Sequence, residues 1–96
     1  MTDNPSLKKY LQIEAELKQI QKKFPDYPED MFKQAALINK EAGEVSKAVL
    51  KCHYEGKSLN NVKSKLIETA AYCMIMLLKI KILENKILQK ICKPDI

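Results

Sequence analysis

One long stretch, residues 59–91, constrains the fold of this chain more than any other. Ser58 is a good N-cap, so the sequence predicts a helix from Leu59 to about Ile91, on the order of 50 Å long at 1.5 Å per residue. Its middle, residues 70–78 (AAYCMIMLL), is apolar on every side. A helix that is apolar all round must be covered all round, which three helices of one chain cannot do. We therefore expect a homo-oligomeric helical bundle that packs through this segment.

The rest of the chain also favours helix. It has 96 residues, only two Gly and no run of alternating β-branched residues. We therefore expect an all-α fold, an antiparallel bundle of about three helices per chain. We expect a single domain over residues 1–96, with a core at about 29–78 and a C-terminal helical extension at 79–96.

The first helix has clear boundary signals. Asn4 is a good N-cap, Pro5 suits the first helical position, and the helix is expected to run to Phe24, before Pro25. The apolar positions of this helix form a narrow stripe: Ile13, Leu17, Ile20 and Phe24.

A second helix is expected to begin at Pro28, with Glu29 and Asp30 facing the positive end of its dipole. It should run to about Tyr54, and Gly56 then suits the residue just past its end.

The charge of the chain is carried by lysine alone. All 17 basic residues are Lys, and the net charge of +5 is compatible with phosphate-bearing partners. The lack of Arg, of Gly-rich RNA motifs and of exposed aromatic residues argues against nucleic-acid binding through the Lys-rich C-terminal helix.

The cysteines and the apolar segments predict a cytoplasmic location. Cys52, Cys73 and Cys92 are odd in number and have no CxxC spacing, as expected of reduced core residues. No apolar segment follows Met1–Ser6, so we expect no signal peptide. The longest uncharged apolar stretch, Thr69–Leu78, is too short to cross a bilayer.

Two carboxylates lie at helical spacing inside an apolar region of the second helix. Glu41 and Glu44 are three residues apart, so their side chains share one face. We expect them at the edge of the buried stripe, where a carboxylate is costly to desolvate unless a cation meets it. The expected buried stripe consists of Ile38, Ala42, Val45, Val49 and Cys52.

The third helix offers a matching pair, Lys65 and Glu68. Two antiparallel helices joined by a short turn at residues 56–57 bring the two pairs to similar height. Three carboxylates, Glu41, Glu44 and Glu68, could then surround a hard cation such as Mg²⁺, which prefers oxygen ligands.

Two segments, KEAGEVSKAVLK at Lys40–Lys51 and KLIETAAYCMIMLL at Lys65–Leu78, carry a family resemblance. They resemble the all-α nucleotide pyrophosphohydrolases of the MazG-like superfamily, whose pattern is E-x-x-E, a gap, then E-x-x-D. The resemblance implies hydrolysis of nucleoside triphosphates or deoxynucleoside triphosphates to the monophosphate and pyrophosphate, with Mg²⁺ or Mn²⁺, in a dimer or tetramer. It implies catalytic roles for Glu41 and Glu44 and metal-ligand roles for Glu41, Glu44 and Glu68.

The second half of the motif departs from the pattern. Aligned through residues 70–72, Lys65 falls where the family has Glu, and Glu68 where it has Asp. An alternative alignment makes Glu68 the first acid and puts Ala71 in the Asp position. Lys65 then has two possible roles: it pairs with Glu68 or Glu41 and displaces the metal, or it binds substrate phosphate itself.

Further substrate contacts are predicted on the second helix. Lys40 and Lys47, with Lys65, are candidates for substrate phosphate, and Gln34 and Asn39 for the base or ribose. The alternative to an enzyme is a non-catalytic helical oligomer, or a nucleotide-binding relic of the same fold.

Overall fold

The computed structural model describes residues 4–25 and 30–91, with side chains as far as residue 87. These ranges contain three helices, α1 (Pro5–Lys23), α2 (Met31–Glu55) and α3 (Leu59–Ile91), and no strand. The prediction of an all-α fold with three helices per chain is confirmed. Cys92 and the C-terminal residues 94–96 lie outside the described residues.

Both ends of α1 follow from local capping. The Oδ1 atom of Asn4 accepts hydrogen bonds from the backbone N–H groups of Ser6 at 3.0 Å and Leu7 at 3.4 Å. These bonds satisfy donors that have no partner inside the helix. At the other end, the N–H of Phe24 donates to the carbonyl of Ile20 at 2.9 Å. The predicted start of α1 is therefore confirmed, and the helix ends one residue earlier than expected.

The start of α2 differs from the prediction. The helix begins at Met31, and Asp30 is its N-cap, with Oδ1 accepting from the N–H of Phe32 at 2.8 Å. Asp30 has extended backbone angles, so its carboxylate caps the helix instead of lying in the first turn. Pro28 and Glu29, the other two residues of the predicted start, lie outside the described residues.

A short connection at residues 56–58 joins α2 to α3. Gly56 has a φ of 68°, in the left-handed region that Gly adopts without a Cβ penalty, as expected of a helix C-terminus. The Oγ atom of Ser58 accepts from the N–H of Asn60 at 2.9 Å, and α3 then runs unbroken to Ile91. The predicted bounds of α3 are confirmed, and the short connection makes α2 and α3 an antiparallel hairpin.

The third helix is the centre of the fold. Both α1 and α2 pack against α3, whereas no α-carbon of α1 comes within 8 Å of an α-carbon of α2 in the described part of the chain. The core cluster joins α1 to α3 through four buried side chains. These are Leu17, Ile20, Ala71 and Ile75, with Ile13, Leu37 and Tyr72 packed around them.

The buried face of α2 follows the predicted stripe only in part, since Ile38, Val45 and Cys52 are half-buried. Ala42 is exposed, and Val49 is 47 % exposed. The buried residues are instead Gln34, Glu41 and Ala48. The polar side chains that α3 places opposite Glu41 explain the difference, because the sequence pattern assumed that only apolar residues would occupy the centre of the interface.

Much of the apolar middle of α3 remains uncovered by its own chain. Leu77 is 61 % exposed, and Met74 and Leu78 are also exposed. The radius of gyration is 17.4 Å, against about 12–13 Å for a compact domain of this length. Coverage of this surface by further copies of the chain stays a prediction. In the described ranges, none of the helices is both long and apolar enough to span a membrane.

The two glycines should respond oppositely to the same substitution. Gly56→Ala places a Cβ at a positive φ and should cost about 1 kcal/mol of unfolding free energy. Gly43 lies inside α2, and an added Cβ there meets nothing within 4 Å, so Gly43→Ala should stabilise by about 0.5–1 kcal/mol. Urea unfolding of both variants measures the difference. Loss of stability in Gly43→Ala would mean that another chain approaches α2 at that point.

Candidate functional site

A group of charged side chains lies where α2 faces α3. Glu41 and Glu44 are one turn apart on α2, and Lys65 and Glu68 are one turn apart on α3. We call these four residues the charged seam. The hairpin brings the two pairs together, as the antiparallel arrangement predicted.

Lys65 bridges two carboxylates of the seam. Its Nζ atom lies 3.0 Å from Oε1 of Glu44 and 3.3 Å from Oε1 of Glu68. The sequence suggested Glu68 or Glu41 as its partner. The structure brings Lys65 to Glu68 and, across the two helices, to Glu44 instead of Glu41. All three side chains are about a third exposed, so these pairs contribute little to stability by themselves.

Glu41 was predicted at the edge of the interface, but it occupies the middle. It is only 8 % exposed, and its Oε1 atom has no hydrogen-bond partner among the described residues. Burial raises the pKa of the Glu41 carboxyl, and the neighbouring carboxylates Glu44 and Glu68 raise it further, against a smaller opposing effect of Lys65 and Lys40. The interface therefore contains an acid that is costly to ionise.

The ion pairs favour the charged forms of Glu44 and Lys65. The hydrogen bond from Lys65 lowers the pKa of Glu44, and the same bond is the main cause of a raised pKa for Lys65. Both groups are thus held in their charged forms, while Glu41 beside them is pushed toward its neutral form.

Tyr72 belongs to the same environment and was missed by the sequence reasoning. Burial raises the pKa of its hydroxyl, with further contributions from Glu41 and Glu68. Tyr72 follows Glu68 by four residues and so lies on the same face of α3. That spacing was visible in the sequence, but the residue was assigned to the apolar middle of the helix.

The metal-ligand roles of Glu41, Glu44 and Glu68 stay a prediction. The ammonium of Lys65 holds one carboxylate oxygen of Glu44 and one of Glu68. Within the described residues, no group of three or more His, Cys, Asp or Glu side chains is arranged to hold a metal ion.

The remaining predicted substrate contacts differ in their exposure and in their distance from the seam. Lys40 and Lys47 are exposed on α2, and both lower the pKa of Glu44, so they lie within electrostatic reach of the seam. Asn39 is exposed. Gln34 is fully buried, so it presents no surface to a base or ribose in the single chain.

Comparison of the chain with protein-family models, curated proteins and solved structures found no match. The resemblance to the MazG-like superfamily therefore depends on the residues quoted above and stays a prediction. The geometry of the seam is independent of it.

The two acids that α2 contributes to the charged seam should affect stability with opposite pH dependence. Glu41 has a folded-state pKa above its ordinary 4.5, so its destabilising effect is absent below pH 4.5 and develops as the pH rises through the raised value. Replacing it by Gln should therefore help folding more at pH 7 than at pH 4.

Glu44→Gln is the matched control. The pKa of Glu44 is lowered, so its stabilising ion pair is present above pH 4.5 and is lost as the pH falls through the lowered value. Thermal melts between pH 3 and 8 compare each variant with the parent chain. Melting-temperature differences that change in the same direction with pH in both variants would contradict this arrangement of charges.

Proposed function

We propose that this chain hydrolyses nucleoside triphosphates to the monophosphate and pyrophosphate at the charged seam, in the cytoplasm and as a homo-oligomer, a dimer or tetramer. The observation that carries the proposal is the buried carboxylate of Glu41, whose Oε1 atom lacks a hydrogen-bond partner among the described residues. Leaving a buried acceptor unsatisfied costs about 1–3 kcal/mol. A chain that needed only a stable bundle would gain by an apolar residue at this position.

Lys65 supplies positive charge where substrate phosphate would bind. Phosphoryl transfer depends mainly on positioning and on neutralising the charge of the transferred group. An ammonium group binds phosphate as a point charge, and Lys40 and Lys47 flank the seam on α2. Phosphate oxygens would then replace Glu44 or Glu68 as partners of Lys65.

Glu41 is the candidate general base. Its raised pKa makes the ionised carboxylate a better proton acceptor than an exposed glutamate. In the proposed step Glu41 accepts a proton from a water molecule, and the water oxygen attacks the α-phosphorus. The bond from the α-phosphorus to the oxygen that bridges to the β-phosphorus breaks, and pyrophosphate leaves with the bonding electron pair.

Mg²⁺ or Mn²⁺ enters this proposal only through the resemblance. Glu41, Glu44 and Glu68 are the expected ligands, but the ammonium of Lys65 holds two of them. The reaction is therefore to be assayed with and without each metal.

A specific observation favours a second candidate, a non-catalytic helical oligomer or nucleotide-binding relic. The ion pairs of Lys65 satisfy Glu44 and Glu68 within the chain, as expected where an ancestral metal site has been closed by a salt bridge. In that case the exposed apolar surface of α3, including Leu77, would serve assembly.

Pyrophosphate release from a panel of ribo- and deoxyribonucleoside triphosphates tests the enzymatic proposal. Glu41→Gln should lower the rate by roughly a hundredfold or more, since it removes a general base. Glu84→Gln, an exposed acid on α3 outside the seam, is the control and should leave the rate unchanged. Absence of release from every nucleotide, with and without metal, would overturn this proposal in favour of the relic.

Lys65→Glu tests whether one ammonium blocks a metal site. Without metal, the variant concentrates four carboxylates and should melt at a lower temperature than the parent chain. A divalent cation should then raise its melting temperature, because a ligand at a hundredfold excess over its Kd stabilises by about 2.7 kcal/mol. Lys63→Glu, exposed on the same helix, is the control for added charge. An equal response of both variants to Mg²⁺ would exclude a latent site at the seam.

A further inference from the structure

A groove lies between α1 and α3, directly beside the charged seam. Its volume is about 570 Å³, within the roughly 300–1,000 Å³ of typical small-molecule pockets. We call it the α1–α3 groove. Its walls include Glu68 and Tyr72 from α3, Glu16, Lys22 and Lys23 from α1, and Phe24, the residue just past the end of α1.

The groove and the seam share a residue. Glu68 lines the groove, and one of its carboxylate oxygens is 3.3 Å from Nζ of Lys65. Tyr72, one turn further along α3, lines the groove and is close enough to Glu41 and Glu68 for their charges to affect its hydroxyl. A molecule in the groove would therefore reach the seam past Glu68.

The groove combines an exposed aromatic ring with cations and an apolar floor. Phe24, which the sequence analysis included in the narrow apolar stripe of the first helix, is 45 % exposed, and Nζ of Lys23 lies 5.5 Å from the centre of its ring. Ile20 is 5 % exposed and forms part of the apolar floor of the groove. Aromatic faces stack on nucleobases, and ammonium groups attract phosphates. Glu16 and Glu68 also line the groove and repel an anion, so the end formed by Lys22, Lys23 and Phe24 is the part that suits a planar base attached to an anionic group.

We propose that the α1–α3 groove binds the nucleoside part of a nucleotide, with the base stacked against Phe24 and the phosphates directed past Glu68 to Lys65. The direction of the phosphates rests on the proposed function, whereas the stacking rests on the groove alone. This assignment moves base recognition from Gln34, which is fully buried, and Asn39, which lies on α2, to Phe24 just past the end of α1.

Binding measurements distinguish stacking of the base in the groove from binding of the phosphates at the seam. The full chain is titrated calorimetrically with α,β-methylene analogues of nucleoside triphosphates, which resist cleavage, and with inorganic tripolyphosphate, which has no base. Phe24→Ala should weaken binding of the analogues roughly tenfold, the scale of one base–aromatic stack, and leave tripolyphosphate affinity unchanged. Phe32→Ala, at the only other Phe, is the control, because this side chain is 87 % exposed on α2 and outside the groove. Phe24→Leu, which keeps an apolar side chain without the aromatic face, replaces Phe24→Ala if that variant does not fold.

Each result has a distinct meaning. Analogue affinity that is equal in Phe24→Ala and Phe32→Ala would overturn the groove assignment, and pyrophosphate release in the parent chain would still support the enzyme. Binding that depends on Phe24 without any pyrophosphate release would support the groove and remove the enzymatic proposal. A Phe24→Ala chain that changes its oligomeric state but not its analogue affinity would identify the groove as a subunit contact and overturn the inference. Absence of analogue binding to the parent chain would overturn the groove assignment, and the enzymatic proposal would then stand or fall on pyrophosphate release alone.

Discussion

The ammonium group of Lys65 determines the electrostatics of the α2–α3 hairpin. It lies within 3.3 Å of two carboxylates, one from each helix, and opposes the rise in the pKa of the buried acid Glu41 more than Lys40 does. Without this charge, three glutamates would repel one another across an interface that also forms the main helix–helix contact of the fold. The hairpin can therefore bury an acid at its centre because a lysine on the facing helix lies close by.

This arrangement has a consequence for any phosphate ligand. Three carboxylates and one ammonium leave the seam with a net negative charge when Glu41 is ionised, which opposes the approach of an anion. The rise in the pKa of Glu41 reduces that charge, and Lys40 and Lys47 surround the seam with positive potential. In our proposal the lysines outside the seam attract a nucleotide, and Lys65 neutralises charge inside it.

The sequence predicted those features that depend on local interactions and missed those that depend on how helices cross. Caps act over three or four residues, so Asn4 and Ser58 correctly marked the starts of two helices. The observed buried face of α2 differs from the predicted one because a helical pattern in one segment cannot show that the facing helix supplies a lysine near Glu41. The α1–α3 groove depends on the packing of elements distant in the chain, which no local spacing around Phe24 indicates.

The helix α1 and the α2–α3 hairpin should differ in local stability. The hairpin is held by contacts between neighbouring elements, whereas α1 is held through side chains such as Leu17 and Ile20 that pack on α3. Proteins open in cooperative units, and those with fewer buried contacts open at lower free energy. Amide protons of α1 should therefore exchange with solvent before those of the hairpin, through a partly unfolded state that retains the charged seam but has lost one wall of the groove.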